Sequence, residues 1–124
     1  KFLAKIKNDN KFFLIGSNGK LSLIKHEDKS NYLPFIFGKP EIDQFLNFKK
    51  KIDESKFKYK DINNLFFFPS NRWDIQLKND LLIKLPSKNI KKTLDLVSDF
   101  LLENDNNSIK IVDARIQNQI ILND

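Results

Sequence analysis

The sequence predicts an α+β fold: an antiparallel β-sheet with two α-helices packed on one face. Three observations carry this. Short apolar runs are separated by turn residues, with clean alternation from Arg72 to Lys78. Two longer segments, from Glu41 and from Ser87, place apolar residues at helical spacing. No internal repeat or long linker divides the 124 residues, so 1–124 reads as a single domain, large enough to bury a core.

The elements follow in order. "FLAKIKNDNKFFLIGSNGKLSLI" (2–24) reads as a short antiparallel meander. Ser17-Asn18-Gly19-Lys20 is its clearest turn, because Asn-Gly between apolar runs favours a type I′ hairpin with positive φ at both central residues. Asn8-Asp9-Asn10 is a second, weaker turn signal. In "LPFIFGKP" (33–40), Pro34, Gly38 and Pro40 suggest a constrained loop with Phe35, Ile36 and Phe37 turned inward. Pro40 suits the first turn of a helix, where a missing N–H costs nothing. Ile42, Phe45, Leu46, Lys49 and Ile52 then mark a helix over 41–55. Glu41 and Asp43 early and Lys49 to Lys51 late suit its dipole.

Three strands come next: Ile62–Phe68, Arg72–Lys78, and one holding Leu81, Ile83 and Leu85. In the second, Trp73, Ile75 and Leu77 share one face, while Arg72, Asp74, Gln76 and Lys78 share a wet one. Leu85-Pro86 ends the third, and Ser87 is placed to cap a second helix. Its apolar stripe is Ile90, Leu94, Val97 and Leu101, widened by Leu96 and Phe100. The helix stops in the polar run Glu103–Ser108. Two last strands, Ile109–Ile116 and Gln119–Leu122, are joined by a tight Gln117-Asn118 turn.

Charge and composition narrow the function classes. The net charge of +6 invites a nucleic-acid or other anionic-polymer partner. The simpler account is compositional: Lys, Asn, Ile and Phe, all with AT-rich codons, are abundant together. The densest cluster, Lys49-Lys50-Lys51 with Lys56, Lys58 and Lys60, is diluted by Asp53, Glu54 and Asp61. A solvated Lys-rich surface is therefore the expectation, and no nucleic-acid or small-molecule ligand is expected. Cys is absent, which excludes disulfides, thiolate zinc sites and Cys nucleophiles. Met is also absent, and we read the chain as part of a longer protein with any membrane anchor upstream. His26, the only His, lies in the polar stretch Lys25-His26-Glu27-Asp28, where solvation is the expected role. Gly16 and Gly19 are turn glycines rather than a phosphate loop. No nucleophile–base–orienter set can be named, so no catalysis, cofactor or metal is expected.

Only two of the 22 basic residues are Arg. Arg is irreplaceable by Lys where a flat, bidentate donor fork is needed. Arg72 and Arg115 both fall on outward strand faces. Each either contacts a partner or pairs with a local carboxylate, Asp74 or Asp113 respectively. Trp73 shares a face with Ile75 and Leu77 and reads as core rather than as a partner contact.

The succession of motifs then points further. "LIGSNGKL" precedes "LPFIFG", a Leu-Pro-x-x-x-Gly motif of Leu33, Pro34 and Gly38. "RWDIQLKNDLLIKLP" leads directly into an amphipathic helix. "IKIVDARI" ends in Asp-x-Arg and is followed by a short terminal strand. This order resembles the FtsQ/DivIB family of bacterial division proteins over nearly the whole chain, most of all its alphaproteobacterial branch. The resemblance implies the β domain alone, without cytoplasmic tail, transmembrane helix or POTRA domain. It implies a non-enzymatic divisome scaffold, anchored in the inner membrane by a single span, with this domain periplasmic at the septum. The implied partners are FtsB (DivIC) and FtsL, coiled-coil division proteins, and the scaffold is implied to help control septal peptidoglycan synthesis. FtsB would add a strand at the C-terminal edge. Carried over, the binding residues are Arg115, Ile116, Gln119, Ile120, Ile121 and Leu122, with Arg72 as a further candidate. Trp73, Asp74, Leu33, Pro34, Gly38 and Asp113 belong to the motifs that carry the likeness. The family often has an aromatic residue after this Arg. Ile116 and "QIIL" stand here instead, which implies a more aliphatic contact surface.

Overall fold

A computed structural model describes residues 1–25, 32–104, 108–117 and 119–123. Among them one nine-stranded sheet carries two helices. The chain runs through β1 (Phe2–Asn8), β2 (Lys11–Gly16), β3 (Leu21–Leu23), β4 (Phe35–Phe37) and α1 (Ile42–Glu54). A 3₁₀ turn (Tyr59–Asp61) leads to β5 (Ile62–Phe67), β6 (Trp73–Leu77) and β7 (Leu82–Lys84). Then come α2 (Ile90–Glu103), β8 (Ile111–Asp113) and β9 (Ile121–Asn123). The spatial order is β3-β2-β1-β4-β5-β6-β7-β8-β9, so β3 and β9 are the two edges.

The fold is α+β as expected, and its mostly antiparallel sheet is mixed. β4 runs parallel to both β1 and β5, and β8 runs parallel to β7. The reason lies in the connections. A two-residue loop can only reverse a strand, whereas a helix carries the chain back to start again in the same direction. α1 joins β4 to β5, and α2 joins β7 to β8. Since β5, β6 and β7 alternate in direction, β4 and β7 point the same way. Both crossovers also step the same way across the sheet. Crossovers of this kind are right-handed, and that places both helices on one face.

The core lies between them. Phe45, Phe48 and Ile52 of α1 and Ile90, Leu94 and Val97 of α2 are buried against Ile6, Ile15, Ile36, Leu65, Ile75, Ile83 and Val112 of the sheet. The segment just after α1 is tied to α2: Asp95 Oδ1 accepts the Lys56 backbone N–H at 2.7 Å, and Asp99 accepts Lys56 Nζ at 3.1 Å.

Several local expectations change. Within "LPFIFG", Phe35–Phe37 form a strand inside the sheet instead of a loop. Ile36 faces the core, while Phe37 is half exposed on the other face. The two left-handed residues of the first hairpin are Asp9 (φ 51°) and Asn10 (φ 65°), between the paired Asn8 and Lys11. The type I′ geometry therefore sits there. At the Asn-Gly turn only Gly19 (φ 80°) is left-handed, as the last residue of a three-residue loop in which Gly19 N–H bonds Gly16 O. Asn18 spends its side chain on the Lys20 N–H at 3.0 Å. Pro40 precedes the α1 cap, Glu41, instead of opening the helix. The α2 cap is Asn89, not Ser87; its left-handed φ of 58° is one that Asn tolerates. His26, Glu27, Asp28, the middle of the polar run after α2, and Asn118 lie outside the described residues.

Candidate functional site

β9 is one residue later than expected at its end and two later at its start. It spans Ile121–Asn123, with Gln119 and Ile120 in the approach to it. The turn before it closes through Gln119 N–H to Ile116 O at 3.0 Å. β9 pairs with β8 as Ile111↔Asn123, Val112↔Leu122 and Asp113↔Ile121. The direction of each backbone group follows. Lys110 C=O and Ala114 N–H both bond to β7. Alternation therefore turns Ile111 and Asp113 toward β9, and their partners Asn123 and Ile121 back toward β8. Leu122 is left with its N–H and C=O pointing off the sheet.

Side chains around this edge are apolar. Ile116, Ile121 and Leu122 are each about half exposed. Leu122 lies on the helix side of the sheet, in register with buried Val112, and Ile121 on the open side. Ile120 is different: it is partly buried and packs against the core. A cleft of about 230 Å³ between α2 and the β8–β9 connection is lined by Leu96, Ala114, Ile116 and Gln119, among others. Leu96, read from the sequence as part of the helix stripe, is instead 39% exposed beside this cleft.

Arg115 stands next to the edge, half exposed. Its Nε and Nη2 donate to the two carboxylate oxygens of Asp113 at 2.9 and 2.7 Å, and its backbone N–H to Oδ1 at 3.1 Å. Those hydrogen bonds hold the Asp113 carboxyl below the ordinary range, and Asp113 raises the guanidinium in return. Nη1 has no partner among the described residues. The fork therefore keeps an outward donor while its inner side is fixed.

Arg72 is placed otherwise. Its Nη1 donates to Asp74 Oδ1 and to Leu85 O at 3.0 Å, and its guanidinium lies 4.8 Å over the Phe68 ring. It ties β6 to the end of β7. Asp74 is buried, contrary to the expected wet face of β6. Burial pushes its carboxyl up, opposed by Arg72, Lys84 and Arg115. Lys84 is the residue sequence reasoning missed. It is the cross-strand partner of Asp74 on one side and of Asp113 on the other, so acid, base and acid alternate across three strands. That juxtaposition depends on the parallel β7–β8 pairing, which no local signal announces. Arg72 and Arg115 also line one cleft of about 350 Å³ with Lys88 and Asn89.

The remaining motif residues hold the fold. Trp73 is 3% exposed, enclosed by Phe45, Phe48 and Phe67. Leu33 and Pro34 are buried, and Pro34 O accepts the Lys5 N–H at 2.9 Å. Gly38 (φ 105°) brings β4 so near β5 that a Cβ would lie 2.4 Å from Phe67 O.

The family description "Cell division protein FtsQ/DivIB, C-terminal" matches residues 4–115, from β1 to the Asp-x-Arg motif. The chain belongs to the FtsQ/DivIB family. FtsQ/DivIB proteins are non-catalytic division proteins, and the chain accordingly has a role in cell division. Among solved structures, the chain is similar to the major extracytoplasmic domain of the trans isomer of the bacterial cell division protein DivIB from Geobacillus stearothermophilus. That match has a TM-score of 0.56 at 14% identity, covering 85% of this chain and 96% of that one. At that identity the likeness establishes the shared FtsQ/DivIB fold. No curated protein sequence matches the chain. No helix among the described residues is long and apolar enough to cross a membrane.

Proposed function

We propose that this FtsQ/DivIB domain is a divisome scaffold that binds FtsB (DivIC) and FtsL-type coiled-coil proteins, FtsB by strand addition at β9. In this reading the full-length protein is anchored in the inner membrane by a single span. The domain lies in the periplasm at the septum and helps control septal peptidoglycan synthesis. One observation carries the proposal: Leu122 presents an N–H and C=O without a partner among the described residues, on an edge strand that has neither Lys nor Pro to blunt it. Strand addition uses such groups for affinity and flanking side chains for specificity. Ile116, Ile121 and Leu122 supply the apolar flank, Gln119 and Ile120 set the approach, and Arg115 meets a partner carboxylate through its outward donor. Arg72 acts from behind, holding Asp74 and the β7 end in place.

The test is binding of the membrane-distal tail of an FtsB-type partner, followed by calorimetry. Leu122→Pro removes only the outward N–H, so the β8–β9 ladder survives and binding should be lost. Ile120→Pro is a poorer choice, because Ile120 packs on the core. Arg115→Lys should weaken binding roughly tenfold or more through loss of a charge-assisted hydrogen bond. Undiminished binding by a folded Leu122→Pro domain would remove β9 as the site.

A further inference from the structure

The helix-free face of the sheet is not uniform. On its β6–β9 half the outward positions mix polar Asp74, Gln76, Lys84, Asp113 and Asn123 with apolar Leu82, Ile111 and Ile121. On the β2–β5 half the apolar positions are mainly aromatic and join up. Phe12 of β2, Phe35 and Phe37 of β4 and Phe66 of β5 form one continuous aromatic row. Their ring centroids are 6.1 Å apart for Phe12–Phe35, 4.8 Å for Phe35–Phe37 and 5.0 Å for Phe37–Phe66. Phe12 and Phe37 remain 46% and 45% exposed, and no element of the described chain covers them. Apolar residues on a wet face contribute little to folding, and a contiguous row of this kind marks an interaction surface.

The charge of this half is one-sided. Lys5 and Lys7 of β1 run through the row, Lys7 Nζ 5.8 Å over the Phe12 ring. Strands β1, β2, β4 and β5 contain no Asp or Glu at all. Neither lysine has a carboxylate partner among the described residues. We infer that this face is a second docking surface, and that its occupant is an acidic amphipathic helix of a partner protein, apolar stripe on the Phe row and carboxylates on Lys5 and Lys7. From β2 to β5 is three strand spacings, about 14 Å. That matches roughly nine residues of helix, enough for apolar anchors on successive turns.

Two other occupants fit less well. A second copy of this chain would bring its own Lys5 and Lys7 against these. An anionic bilayer would meet Asp113 on the same face, and the Phe rings are packed against one another instead of projecting from a loop. The surface is separate from β9, so it stands or falls independently of the strand-addition reading.

The probe is a synthetic 18-residue amphipathic peptide with a Leu/Phe stripe flanked by Glu. Its controls are a Lys-flanked version and a scrambled one, all titrated calorimetrically into the domain. The acidic peptide should bind at least tenfold more tightly than either control, and more weakly as salt rises. Phe37→Ser and Phe12→Ser should each weaken binding about tenfold, with circular dichroism unchanged because both rings are already half in water. Lys5→Glu with Lys7→Glu should transfer the preference to the basic peptide, and Leu122→Pro should leave it as it was. The inference is overturned by equal binding of acidic and scrambled peptides, or by a Phe37→Ser domain that binds like the parent. It is equally overturned by Phe37-dependent capture on phosphatidylglycerol vesicles, or by a dimer in sedimentation velocity that Phe37→Ser dissolves.

Discussion

Trp73 and Phe48 lie ring on ring, their centroids 4.5 Å apart and their planes 4° from parallel. One comes from β6, the other from α1, so this stack fastens the first crossover helix to the sheet. Phe67 and Phe45 close on the same indole at 4.8 and 6.4 Å. Removing the indole should leave a cavity that the rigid neighbours cannot fill. Trp73→Ala is expected to cost about 3–5 kcal/mol, and a double-mutant cycle with Phe48→Leu should show coupling of about 0.5–1.5 kcal/mol. Urea unfolding measures both. An indole emission as red as that of free Trp in the native parent would contradict the placement.

Arg72→Lys tests the second fastening. A Lys cannot reach Asp74 and Leu85 O together while covering Phe68, so a buried carboxylate loses half its support. The expected loss is about 1–3 kcal/mol. Arg72→Lys should leave partner affinity at β9 within about threefold, well short of the loss expected from Arg115→Lys.

Gly38→Ala should be among the most damaging single changes to a surface residue. The added Cβ meets Phe67 O at 2.4 Å, and φ of 105° is strained for any L side chain. A loss of about 3 kcal/mol or more, read from thermal or urea unfolding, is expected. A mild effect would mean that β4 can shift away from β5.

The pH profile of stability has two opposed parts. The Lys56 backbone N–H and Lys91 hold Asp95 below the ordinary carboxylate range, as Arg115 holds Asp113. Their contribution is fully present above the unfolded value of about 4, and it is lost as pH falls through their depressed folded values. Asp74, raised by burial, does the reverse: its contribution is present at low pH and lost as pH rises through its elevated folded value. Urea midpoints from pH 2.5 to 7 should show a shallower acid decline in Asp95→Asn than in the parent. An unchanged profile in that variant would show that Asp95 is not stabilised in the native state.

What the sequence conveyed was local. The helical stripes of α1 and α2 and the alternation around Trp73 depend on residues three or four, or two, apart, and the structure follows them. Phe48 lies off the stripe of Ile42, Phe45, Leu46, Lys49 and Ile52 that the spacing marks, so the Trp73 stacking partner is not legible from it. The parallel placement of β4 was hidden for a different reason. Pro34 and Gly38 are turn-formers by local statistics, but here Pro34 offers its carbonyl to Lys5 and Gly38 permits the close approach to Phe67. Only the neighbours in the sheet explain them. That the short terminal apolar strand lies at an edge of the sheet was legible in outline. Its register was not. Ile120 packs against the core ahead of the strand, while the Leu122 backbone points off the sheet, and that register is set by pairing with β8.

The short pairing between β1 and β4 has a mechanical meaning. The β1–β3 block joins the rest of the sheet through Lys5↔Phe35 and Ile6↔Ile36, the fewest paired residues of any junction in the sheet. Tension applied between β1 and β9 acts along the hydrogen bonds and across the strands, so each junction bears the same load and the narrowest one yields first. Resistance at that seam rests chiefly on Leu3, Ala4, Ile6 and Ile15, whose side chains sit in the shared core. A pull delivered at β9 would therefore be felt first at the opposite side of the domain, as a separation of β1 from β4, while the β5–β7 meander beside the gripped end stayed intact.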